Sequence, residues 1–184
     1  MALWALRLLV VNGPPAVGKS TMARRYAEAH PMTLLIDVDE IRELISAWRE
    51  APHEAGLRAR ELVLTMTRNH LQAGHDVVVA QLYGWPDDLD RLEAMAKETQ
   101  SGFDEIVLMA DVESTIERFR ARGGRRLGDA LASDDGLNSI ARLHGRVVEL
   151  LGVRPNATVI TPVWGDPNAT YELIAAGLAE PVAD

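Results

Sequence analysis

Residues 10–26, VVNGPPAVGKSTMARRY, join a run of branched apolar residues to two glycines, two prolines and a lysine, and then turn helical in character. Within this stretch residues 13–20, GPPAVGKS, satisfy the spacing G-x-x-x-x-G-K-S with a strand pattern before it and a helix pattern after it, the context a phosphate-cradling loop requires. Gly13 and Gly18 allow backbone angles and a close approach that a side chain would block, so that successive N–H groups can converge on phosphate oxygens. Pro14 and Pro15 donate no N–H. Val17, Gly18, Lys19 and Ser20 keep their donors at a helix N-terminus whose dipole favours anions, flanked by Ala16 and Thr21 in the same nucleotide-binding set. Lys19 can reach the β- and γ-phosphates, and the Ser20 hydroxyl can ligate Mg²⁺. A plain strand-to-helix turn would explain the glycines but not a lysine and a hydroxyl directly behind them.

The rest of the chain agrees with one domain over residues 1–184, of which 47% are hydrophobic. The formal charge of -8 speaks against a nucleic-acid partner or an anionic membrane surface, so a bound anion must meet local positive charge. The absence of cysteine excludes disulfides and thiolate metal sites and fits a cytoplasmic location. The opening MALWALRLLVVNG lacks a basic leader and carries Arg7 in its middle, which makes it a buried strand rather than a secretory signal. No other segment approaches the roughly 20 apolar residues of a membrane helix.

Short apolar runs alternate with stretches of helical period. Strands are predicted at LRLLVVN, TLLIDV, HDVVVAQ, DEIVLMA and ATVIT, and helices at 18–29, 39–50, 54–73, 87–99, 112–121 and 167–179. Continuous apolar strands separated by helices predict a five-stranded parallel sheet covered on both faces, with ligands beyond the carboxyl ends of the strands. The glycine- and charge-rich segment 120–136, RARGGRRLGDALASDDG, breaks the alternation and reads as a mobile flap.

After the second strand comes DVDEIR, which would place Asp37 and Asp39 on one face of an extended segment, with Arg42 at the start of a helix. Beside a phosphate–Mg²⁺ site one carboxylate can hold the metal or its waters while the other takes a proton from an attacking hydroxyl, and Arg42 can orient a polar or anionic acceptor. Either aspartate could instead cap the helix.

With these residues in place the sequence resembles the small P-loop kinases, including shikimate and gluconate kinases, chloramphenicol phosphotransferase and the zeta-toxin kinases. The matching elements are NGPPAVGKS, DVDEIR and ERFRARGGRR. The resemblance implies a three-layer α/β P-loop NTPase fold of adenylate-kinase type with an arginine-rich lid, ATP and Mg²⁺ as cofactors, and transfer of the γ-phosphoryl group to a hydroxyl. It implies Asp39 as the base and Asp37, with Ser20, on the metal side, the reverse assignment of the aspartates staying open. In the lid, Arg118, Arg122 and Arg125 match an R-x-x-x-R-G-x-R spacing of the antibiotic kinase, and Arg120 and Arg126 complete the cluster. Guanidinium groups closing over a transferring phosphoryl group suit its charge.

Departures from the family's pattern matter too. Gln81 stands where many P-loop proteins carry an acidic residue. The D-G-F-P-R type sequence of nucleoside monophosphate kinases is missing after the third strand, and the N-K-x-D of switch GTPases is absent, which lowers both readings. An acceptor region is expected over residues 46–61, SAWREAPHEAGLRARE, lined by Trp48, Arg49, His53 and Arg58, with Gln81 nearby and a stacking face from Tyr83 and Trp85. The histidines lack metal-ligand spacing. The loop TPVWGDPNAT is expected beside the nucleotide base, with Trp164 packed there. The sequence therefore predicts a small-molecule kinase acting on a metabolite or antibiotic, with a nucleotide-sugar kinase and a non-catalytic nucleotide-binding module as alternatives. Oligomeric state is open, and a homodimer is compatible.

Overall fold

The computed structural model describes residues 6–121 and 134–179. The elements run β1 (Arg7–Asn12), α1 (Lys19–Ala29), β2 (Leu34–Asp37), α2 (Val38–Glu43), α3 (Pro52–Gln72), β3 (Val77–Ala80), α4 (Pro86–Glu98), β4 (Gly102–Leu108), α5 (Val112–Ala121), α6 (Asp134–Leu151), β5 (Thr158–Ile160) and α7 (Pro167–Ala179). The strands form one parallel sheet in the order β2-β3-β1-β4-β5. This is the predicted five-stranded α/β architecture. Because β1 is central and the chain moves first to one side of it and then to the other, the switch point lies at the carboxyl end of β1.

The strands are continuous apolar runs because both faces are covered. On one face Leu8 and Val10 join Ile36 of β2 and Val63, Leu89, Leu92 and Leu150 from α3, α4 and the end of α6. On the other, Leu9 and Val11 join Ile106 of β4 and Met22, Tyr26 and Ile174 from α1 and α7. Helix starts follow local chemistry. Pro52 and Pro86 sit in the first turns of α3 and α4, where a missing N–H costs nothing. The Asp166 carboxylate accepts from Asn168 N at 2.9 Å and Ala169 N at 3.0 Å at the start of α7. Arg7, unexpected in a buried strand, donates its N–H to Asp76 (2.9 Å), pairs with Asp104 (3.2 Å) and bonds the Leu178 carbonyl (3.2 Å).

Three boundaries differ from expectation. The helix predicted over 39–50 stops at Glu43, and Ala47 then adopts a left-handed φ of 56°, which no α-helix can continue through. Helix α6 was not predicted at all, although Ile140, Val147 and Leu150 repeat at helical spacing and are all buried. The expected flap over 120–136 is bounded by α5, which runs to Ala121, and by α6, which begins at Asp134; its remaining residues lie outside those described.

Between α6 and β5, Arg154 bonds Glu105 (3.0 Å), Glu93 (2.9 Å) and Asp90 (2.8 Å). Burial pushes the Glu105 carboxyl above the usual carboxylate range, against the pull of Arg154 and of a hydrogen bond from Asn12. Arg154→Leu should cost about 2–3 kcal/mol at neutral pH, less than a fully buried broken pair because Glu105 can neutralise instead. A carboxyl whose folded pKa is raised costs stability as the pH rises from its ordinary pKa toward the folded one, with the full penalty above that, so the deficit should shrink as the pH falls toward the ordinary carboxylate range. Urea denaturation of both proteins at neutral and mildly acidic pH measures this; a deficit independent of pH would exclude Glu105 as its source.

Candidate active site

All five strands end on the same edge, and the loop after β1 occupies its middle. Asn12, buried at the strand's end, shapes the loop's first step: its side-chain oxygen accepts from Gly13 N (2.7 Å) and Tyr83 N (2.9 Å), while its amide donates to the Tyr83 carbonyl (3.2 Å). One side chain thus joins the phosphate loop to the segment after β3. Gly13 has φ 140°, and a Cβ there would stand 2.3 Å from the Leu108 carbonyl oxygen, so only glycine fits between the loop and β4. Ala16 is held at φ 63°, a conformation costly for a residue with a Cβ. Gly18, with φ 104°, occupies the N-cap position of α1 and brings no side-chain acceptor, so the positive end of the helix dipole faces the loop. Lys19 folds its ammonium onto the Pro14 carbonyl at 2.8 Å.

The two aspartates divide differently from expectation. They do not share a face of an extended segment, because Asp37 ends β2 and Asp39 already lies in the first turn of α2. Asp37 is the cap, accepting from Asp39 N at 3.1 Å, and its other oxygen accepts from the Ser20 hydroxyl at 2.8 Å. Asp39 is half-buried and pairs with Arg42 at 3.1 Å. Burial raises its carboxyl above the usual range, opposed by Arg42, reinforced by Asp37 and opposed by Lys19. The Nε of Arg42 is buried with no hydrogen-bond partner among the described residues.

A Mg²⁺ ion fits this donor set. Ser20 and Asp37 present hard oxygens 2.8 Å apart behind the loop, and no cluster of three or more acidic or histidine ligands exists among the described residues. A metal held by one or two protein oxygens, with phosphate oxygens and water completing the shell, is the arrangement Mg²⁺ favours.

In the region where an acceptor was expected, the guanidinium groups of Arg42 and Arg49 lie 4.8 and 4.4 Å from the Trp48 ring centroid, so that ring is already engaged. His53 and Arg58 are exposed on α3. Gln81 follows β3 and bonds the Val11 carbonyl through its N–H at 3.2 Å. Tyr83 is 5% exposed and belongs to the core, so it offers no stacking face, contrary to expectation; burial raises its hydroxyl pKa. Trp85 is exposed, with Arg146 5.3 Å from its ring. Arg120 is exposed near the end of α5, and Arg122, Arg125 and Arg126 lie outside the described residues.

Beside the loop lies a cavity of about 420 Å³ lined by Ala16, Val17, Gly18, Thr21 and Met22 on one side and by Arg118, Pro162–Gly165, Pro167 and Thr170 on the other. The sequence pointed to the loop after β5 here, which ends in Thr170, but missed Asn12. A polar residue closing an otherwise apolar strand was the available signal for Asn12. Thr170 closes that loop on itself, its hydroxyl accepting from Val163 N at 2.9 Å.

Residues 8–146 match the family AAA_33, described as an AAA domain. The adenylate kinase of Synechococcus sp. (strain WH7803) is 34% identical over 130 residues, which cover 64% of this chain and 69% of that protein. The adenylate kinase of Mesorhizobium japonicum is 30% identical over 140 residues, 69% of this chain and 71% of that one. Among solved structures, a candidate kinase of Chloroflexus aurantiacus superposes with a TM-score of 0.67 at 20% identity, over 96% of this chain and 98% of the other. The tunicamycin resistance protein of Deinococcus radiodurans gives 0.61 at 19%, over 97% and 99%. At such identities the structural likeness speaks for the fold. A match that spans most of the sheet and holds the phosphate-cradling loop within it places the chain in AAA_33, a family of P-loop kinases.

Proposed function

We propose that the chain is a phosphotransferase that moves the γ-phosphoryl group of ATP to a hydroxyl group of a small molecule, a metabolite or an antibiotic. The observation that carries this reading is Asp39, a half-buried carboxylate in the first turn of α2, paired with Arg42 and close enough to feel the charge of Lys19. An alcohol seated there attacks the γ-phosphorus while its proton passes to Asp39, and the bond from that phosphorus to the β–γ bridging oxygen breaks to leave ADP. Lys19 leaves the Pro14 carbonyl to meet the β- and γ-phosphates. Bound Mg²⁺ would neutralise charge on the phosphate oxygens, held by Ser20 and Asp37. The buried Nε of Arg42 is a donor waiting for an acceptor's oxygen, since a buried donor without a partner costs about 1–3 kcal/mol.

Coupled ADP release, measured with ATP, Mg²⁺ and a library of hydroxyl compounds, tests this directly. One class of alcohols should raise the rate at least about 100-fold over the acceptor-free background. Stimulation by nucleotide sugars would point to the toxin-type alternative. Nucleotide binding with no stimulation by any compound would make the chain a binding module. The relatives named adenylate kinase favour one second reading, in which the acceptor is AMP. AMP therefore belongs in the same screen, and turnover with AMP alone would replace the alcohol reading.

A further inference from the structure

The cavity beside the loop contains a pair of side chains that phosphate chemistry does not call for. The guanidinium carbon of Arg118, near the end of α5, lies 3.6 Å from the ring centroid of Trp164, which is van der Waals contact between two flat groups. Trp164 sits on the loop between β5 and α7 and is 60% exposed, so burial does not explain its place there. The cavity of about 420 Å³ exists with this pair already in contact, a volume within the range of ligand pockets. Its other walls are mostly apolar, from Val17, Met22 and Pro162, with Thr21 the one further hydroxyl, and the Thr170 hydroxyl is spent inside its own loop, accepting from Val163 N at 2.9 Å and lying 3.1 Å from the Asp166 carbonyl oxygen. Among the described residues the cavity thus offers flat and apolar surface far more than side chains that could read a base edge.

We propose that Trp164 is a positioning residue for the donor nucleotide: it backs the Arg118 guanidinium so that this group presents a flat plate to the purine, and the base is chosen by its face rather than by its edge. The inference rests on the phosphotransferase reading, which supplies the nucleotide. An arginine on a free stem loses rotamer entropy when it is fixed, and a partner that fixes it beforehand removes much of that loss from binding. Purines, with the larger stacking area, are then preferred to pyrimidines, and adenine and guanine are treated alike.

Calorimetric titration of the whole chain with the Mg²⁺ complexes of ATP, GTP, CTP and tripolyphosphate tests this without a known acceptor. Trp164→Ala should weaken ATP and GTP about 10-fold each, CTP less, and tripolyphosphate by no more than about two-fold, because tripolyphosphate has no base to stack. Trp164→Phe should restore most of the loss. The double variant of Trp164→Ala with Arg118→Ala should bind ATP no worse than Arg118→Ala alone, since one side chain acts through the other. The proposal is overturned if Trp164→Ala binds ATP as wild type does, if it loses tripolyphosphate to the same degree, if its effect adds in full to that of Arg118→Ala, or if wild type separates ATP from GTP by more than about 100-fold. Wild type binding neither ATP nor tripolyphosphate would instead defeat the phosphotransferase reading itself.

Discussion

Asp39→Asn is expected to lower the acceptor-dependent rate by about 10²- to 10⁴-fold, the usual worth of a positioned general base, while ATP still binds within a few-fold of wild type. The amide keeps the shape of the side chain and can still offer an oxygen to Arg42, so what is lost is the capacity to take a proton beside the γ-phosphate. Initial rates on the acceptor returned by the ADP-release screen give the comparison. A full rate in Asp39→Asn would remove the proton assignment. Asp37→Asn should behave differently: the amide can still cap α2 but no longer offers a charged oxygen beside the Ser20 hydroxyl, so the Mg²⁺ requirement should rise while stability changes little. If Asp37→Asn abolished turnover at saturating Mg²⁺ while Asp39→Asn did not, the two roles would be exchanged.

Gly13→Ala should be the most damaging small substitution in the loop. Its Cβ would meet the Leu108 carbonyl at 2.3 Å and a methyl of Val17 at 3.1 Å, at a φ of 140° that side chains rarely adopt. Overpacking of about 1–3 kcal/mol and backbone strain of similar size together give about 2–6 kcal/mol, with nucleotide binding lost as the loop is pushed off β4. Gly18→Ala is the control, because no atom lies within 4 Å of the Cβ it would carry; only the strain at φ 104° remains, and about 1–2 kcal/mol should follow. Urea denaturation of the three proteins gives both values. Equal midpoints for Gly13→Ala and wild type would mean that β4 and the loop are not in contact as described.

The sheet was legible because burial on both faces makes each strand an unbroken apolar run, and the loop because its glycines, lysine and hydroxyl have no other joint use. The exact partition of Asp37 and Asp39 was not, since where a strand gives way to a helix depends on which carboxylate finds the Ser20 hydroxyl, a residue 17 positions away. The same limit hid Tyr83: a tyrosine in a loop after a strand reads as accessible, and only the meeting of α3, α4 and the sheet shows that it is enclosed. Helix α6 went unread because the glycine-rich segment before it drew the boundary too far, although the apolar spacing of its second half was visible. Pairings such as Arg118 with Trp164 join residues far apart in the chain and leave no local trace.

The Asp37 carboxylate touches two things at once, the hydroxyl at the start of α1 and the backbone at the start of α2. Any ion that draws Ser20 away loosens the clasp on the short helix bearing Asp39 and Arg42, so occupancy of one half of the cleft is transmitted mechanically to the other. Under the phosphotransferase reading, a triphosphate that binds first would ready the alcohol's seat, which favours ordered over random addition.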